Sequence, residues 1–96
     1  MINESRIQAE VTKFINIISN NYSIETNVIL YRIKSYPGLI SKNIYFRLTL
    51  LIQVYNFTKE IIFDVPYEDE HIDFNYIYDQ TNKAISELVE SVDELK

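Results

Sequence analysis

The stretch Phe63–Gln80, FDVPYEDEHIDFNYIYDQ, places Glu68, Asp69, Glu70 and Asp73 around the chain's one histidine, His71. Oxygen donors beside an imidazole are the residue types of a hard-cation site or of general acid–base catalysis. The spacing opposes both. Consecutive carboxylates in a loop rarely converge on one ion without a turn glycine, and the chain has no EF-hand pattern, no His-Glu-x-x-His and no second histidine. No serine sits in a Gly-x-Ser-x-Gly elbow, and the single glycine, Gly38, leaves no phosphate-cradling loop. With no cysteine there is no thiolate nucleophile or disulfide framework. The expectation is a protein that is not an enzyme and carries no metal or other cofactor.

Charge points to binding instead. Residues 1–59 carry seven Lys/Arg against three Asp/Glu, and residues 60–96 carry two against eleven, so the net −5 divides into +4 and −9. A blocked distribution of this kind bears on partners and association rather than on fold. Carboxylates spaced along a loop and one helix face imitate a run of phosphates. Glu68, Asp69, Glu70, Asp73, Asp79, Glu87, Glu90 and Glu94 are therefore expected to bind a basic protein, such as a nucleic-acid-handling enzyme, in competition with its nucleic acid. The bland alternative is that the acids solubilise the chain and that Asp73 and Glu70 favour a helix dipole.

A second contact face is expected from Tyr45, Arg47, Leu51, Tyr55 and Ile62, with Leu51 and Ile62 as neighbours on an exposed sheet surface that a homodimer or another partner would cover. Arg32, Lys34, Lys42, Arg47, Tyr45 and Tyr55 also form a small basic and aromatic set of the kind that binds nucleic acid. The eleven carboxylates of the C-terminal part would repel phosphate within a Debye length of roughly 8–10 Å, so no direct nucleic-acid binding is expected.

Rich in Ile, Asn and Tyr, short, cysteine-free and acidic toward its end, the chain resembles the small accessory proteins of phages that infect low-GC bacteria. Among these are anti-CRISPR and other host-inhibitor proteins with a small helix–sheet–helix domain and a carboxylate-rich surface. The resemblance implies an inhibitor in the host-cell cytoplasm that acts as a DNA mimic. It is one of type, with no residue pattern of a named family, so no site is carried over. A phage virion component (a tail terminator or connector) and an acidic bacterial immunity protein are the alternatives.

The elements that must hold these residues follow from hydrophobic period. Ile7, Val11, Phe14 and Ile18 lie on one face of a helix over residues 5–20, with Ser5 and Gln8 as a capping box and Asn20–Asn21 as a left-handed end. A strand is expected over 27–35, where Ile29, Tyr31 and Ile33 alternate against Leu30, Arg32 and Lys34, before a turn at Pro37–Gly38. The second strand, 44–55, has Ile44, Phe46, Leu48, Leu50, Ile52 and Val54 on one face. A hairpin turning at Asn56–Phe57 pairs Ile52 with Ile61, Leu50 with Phe63 and Leu48 with Val65, and on the other face Leu51 with Ile62. Pro66 is expected to end the sheet. Asp73 then caps a helix in which Ile72 and Ile77 form a hydrophobic staple and Ile77, Tyr78, Ile85, Leu88, Val92 and Leu95 face inward. The prediction is one α+β domain over residues 1–96: a helix, a three-stranded antiparallel meander and a helix, with both helices on one sheet face.

The compartment expected is cytoplasmic. There is no signal-like N-terminus or apolar run of membrane-spanning length, and the sequons Asn21-Tyr22-Ser23 and Asn56-Phe57-Thr58 read as coincidence.

Overall fold

In a computed structural model that describes residues 4–22, 25–37 and 44–94, the chain runs α1 (Glu4–Asn20), β1 (Thr26–Pro37), β2 (Ile44–Val54), β3 (Phe57–Glu68), β4 (His71–Ile72) and α2 (Phe74–Glu94). It is α+β. The strands form one antiparallel sheet in the order β1-β2-β3-β4, so the sheet has four strands rather than the three expected. The fourth is the two-residue β4, which pairs Tyr67 with Ile72 and Glu68 with His71. It arises because β3 does not stop at Pro66: Tyr45 faces Pro66 and Ile44 faces Tyr67. The N–H and C=O of a strand residue point to the same side, and the Pro66 carbonyl accepts from the Asp73 N–H (3.2 Å), away from β2. The missing N–H therefore falls on the edge side, where the β2–β3 ladder does not need it.

The core is a single cluster built from Ile7, Val11, Ile15 and Ile18 of α1, the inward row Phe46, Leu48, Leu50, Ile52 and Val54 of β2, and Ile77, Ala84, Ile85 and Leu88 of α2. Ile15 rather than Phe14 completes the buried stripe of α1, and Phe14 sits at the rim with its ring 5.0 Å from that of Phe74 on α2. α1 starts at Glu4, so Ser5 lies inside the first turn and is not a cap; instead Glu4 accepts a hydrogen bond from the Ser35 hydroxyl of β1. Neither Asn20 nor Asn21 is left-handed, a conformation that among the described non-glycine residues belongs to Tyr55, Asp69 and Glu70. Gly38 and Lys42 lie outside the described residues.

β1 departs from simple alternation. Leu30 faces Leu50 but Arg32 faces Thr49, so Tyr31 is an extra residue, a β-bulge. The bulge reverses the phase: Val28, Leu30 and Ile33 point toward the core, while Ile29, Arg32, Lys34 and Tyr36 lie with Leu51, Thr49, Arg47 and Tyr45 on the opposite face. The set Ile29, Tyr31 and Ile33 therefore does not share a face.

The β2–β3 hairpin turns at Tyr55–Asn56, one residue earlier than expected, with Val54 opposite Phe57. Tyr55 takes φ 54°, and its N–H is held by the Glu25 carbonyl at 3.0 Å. Moving the loop by one residue slides the partners by two, which preserves the faces but changes every pair: Leu50 meets Ile61, Leu48 meets Phe63 and Ile52 meets Lys59. Ile61 and Phe63 are half-buried, because β3 is unpaired along most of its outer edge.

Asp73 caps α2 as expected, its carboxylate accepting the Tyr76 N–H at 3.1 Å, and Ile72 and Ile77 are both buried beside it. Tyr78 is 51% exposed and does not join the inward stripe. It lies about 100° around the helix from Ile77, and Thr81, fully buried, takes the inward place. Leu95 and the side chain of Val92 lie outside the described residues.

Candidate functional site

The structure separates the predicted site residues into an acidic tip, an acidic helix face and an uncovered sheet face. At the tip, Asp69 and Glu70 form the two-residue turn between β3 and β4, with φ 51° and 65°. Left-handed backbone disfavours side chains with a Cβ, so this turn is held by the strands on either side, which also pair Glu68 with His71. Glu68, Asp69, Glu70, His71 and Asp73 are all exposed. Glu68, Asp69, His71 and Asp73 line a shallow depression together with Pro66 and Ile72. Among the described residues, no three or more His, Asp or Glu side chains converge as metal ligands.

Along α2, Asp79, Glu87 and Glu90 are exposed, and Lys83 stands among them. At 1.5 Å of rise per residue, Glu90 lies roughly 25 Å along the helix from Asp73. The carboxylates are therefore two groups rather than one row. Two members are already engaged: Asp73 in its cap, and Glu87 with Lys59 of β3, Nζ to Oε2 2.9 Å. The hydrogen bond and charge of Lys59 hold Glu87 below its ordinary pKa. Glu94 belongs to α2, but its side chain lies outside the described residues.

The second contact set is largely brought together. Tyr45, Arg47, Leu51 and Ile62 share the sheet face opposite the core, whereas Tyr55 lies in the hairpin loop at the sheet's end. Leu51 and Ile62 are diagonal rather than paired: Leu51 stands between Ile29 and Glu60, and Ile62 is opposite Thr49. Ile62 is 60% exposed and Ile29 49%, yet Thr49 between Arg32 and Ile62 is buried.

Toward the other end of this face the Tyr36 and Tyr45 rings stack, 5.5 Å apart and 17° from parallel. The Arg47 guanidinium lies 5.0 Å from the Tyr36 centroid, and Lys34 Nζ lies 5.4 Å from it. Arg47 also donates to both oxygens of Asp64, Nε–Oδ1 2.8 Å and Nη2–Oδ2 3.2 Å, and these hydrogen bonds raise its pKa. Searched against protein families, curated proteins and solved structures, the chain gives no match.

Sequence reasoning missed Ile29 and Tyr36 as members of this face. Ile29 and Tyr36 are both outward only because the bulge at Tyr31 intervenes, and no residue type announces it. Alternation places Asp64 on this face opposite Thr49, and the observed register gives it Arg47 instead.

Proposed function

We propose that the protein is a small acidic protein-binding module that acts by occupying a basic surface of its partner, as an inhibitor competing with nucleic acid would. The observation that carries this reading is the placement of charge across the fold. Glu68, Asp69 and Glu70 stand at the β3–β4 tip, Asp79 and Glu90 along the exposed side of α2, and Arg32, Lys34 and Arg47 stand beside Glu60 and Asp64 on the sheet face that no helix covers. The sheet stands between that face and the α2 carboxylates Asp79 and Glu90, and a molecule whose acids gather at one tip and along one helix approaches a basic surface acidic side first. Because Asp73 and Glu87 are engaged within the fold, the contact is assigned chiefly to Glu68, Asp69, Glu70, Asp79 and Glu90. A phage-encoded anti-CRISPR-like inhibitor in the host cytoplasm is the specific form of the proposal. Among the described residues, no helix is long and apolar enough to cross a membrane.

The test is capture from bacterial lysate with wild type and with the triple variant Glu68→Lys, Asp69→Lys, Glu70→Lys. The expected partner is basic, is released as salt rises and the Debye length falls from about 10 Å toward about 3 Å, is displaced by added nucleic acid, and is lost by the triple variant at unchanged melting temperature. A partner retained equally by that variant overturns the proposal.

A further inference from the structure

The helix-free sheet face has a polarity of its own, distinct from that of the whole molecule. Its β1 side carries Ile29, Arg32 and Lys34, its β3 side carries Glu60, Ile62 and Asp64, and the middle strand carries Leu51 and Arg47, the latter already held by Asp64. Cations on one margin and anions on the other make two margins that are complementary to each other after a half-turn. We infer that a second copy of this chain covers this face, in an isologous face-to-face dimer whose twofold axis runs along β2.

Charge selects that axis. A twofold along β2 lays β1 of each copy over β3 of the other, so basic margins meet acidic margins, and Arg47, which falls on the axis, is neutralised by Asp64 of its own chain. A twofold lying in the face but across the strands would lay β1 on β1 and set Arg32 and Lys34 against their own images. Lys34, Arg47 and Asp64 occupy one cross-strand row, so under the chosen axis Lys34 of each copy arrives at the level of Asp64 of the other. The strands remain roughly aligned, the common geometry for stacked sheets, with about 10 Å between them. Burying Ile29 and Ile62, 49% and 60% exposed in the monomer, supplies the apolar part of the association.

The same face is a poorer platform for single-stranded nucleic acid. Glu60 and Asp64 lie on it, Asp64 holds Arg47, and Tyr36 and Tyr45 are stacked on each other. The dimer leaves α2 with Asp79 and Glu90 outside the interface, and its test changes none of the tip residues, so this inference stands or falls separately from the inhibitor proposal.

The test is sedimentation analysis of the full chain over a concentration series, with Lys34→Glu and Asp64→Lys run separately and as an equimolar mixture. Wild type is expected to move from the 11.4 kDa monomer to a dimer. Each single variant sets like charges against each other on both margins and is expected to weaken dimerisation by about tenfold or more. In the mixture every margin again meets its opposite, and the dimer is expected to return. Ile62→Lys is expected to abolish it without lowering the melting temperature, since Ile62 is outside the core. A wild type that stays monomeric, single variants that dimerise like wild type, a mixture that stays monomeric, or ring-sized particles would each overturn the inference. So would a monomeric wild type that binds an oligonucleotide through Tyr36 and Tyr45.

Discussion

Lys59 Nζ of β3 lies 2.9 Å from Glu87 Oε2 of α2, bridging the groove between the sheet's edge and the second helix above Ile61 and Ala84. The pair turns a cation that would otherwise face Ile52 across the strands into a tie between layers.

Its contribution has a definite pH dependence. Because Lys59 lowers the folded-state pKa of Glu87, the stabilisation is present above the ordinary glutamate value of about 4.3 and is lost as pH falls through the lower folded value. Wild type should melt slightly above Glu87→Gln at pH 7, by a gap on the order of 1–3 °C for so exposed a pair. The gap should narrow and then close as pH falls below the ordinary glutamate range. Thermal melts of both proteins across this range check it, and a gap independent of pH would assign the effect to something other than the ion pair.

Leu50 is fully buried between Leu30 and Ile61 in the centre of the sheet. Leu50→Ala should cost about 2–5 kcal/mol through lost contacts and a residual cavity. Leu50→Asp should abolish cooperative folding, because an unpaired carboxylate there costs as much as a small domain has to lose. Urea titration followed by circular dichroism distinguishes the two outcomes, and a wild-type transition for Leu50→Asp would show that this face is not the core.

Thr81 is fully buried on the inward side of α2, and its hydroxyl has no hydrogen-bond partner. Thr81→Val keeps the shape and removes the unpaired polar group, so it should raise stability by roughly 1–3 kcal/mol. The sign is the test: a loss of stability would mean that the hydroxyl is satisfied within the helix.

The sequence by itself determined the order of the main elements, the inward row of β2, the cap at Asp73 with its staple of Ile72 and Ile77, and the concentration of acid near the β3–α2 junction. These are local properties. Hydrophobic period declares which side of a strand or helix avoids water, and a cap needs only its own carboxylate and the amides that follow. What tertiary structure decided was register and phase. The bulge at Tyr31, the turn at Tyr55–Asn56 and the persistence of β3 past Pro66 each leave the inward alternation of β2 intact, so a reading of alternation could not separate them from their competitors. Yet they settle that Arg47 meets Asp64, that Ile62 lies opposite Thr49 rather than Leu51, and that Ile29 turns outward. They also settle that Glu87 belongs to Lys59, which a helix wheel shows only as an exposed acid. Pairing between strands is a non-local choice among registers of similar burial, made by the whole packed sheet, and the surfaces available for binding follow from that choice.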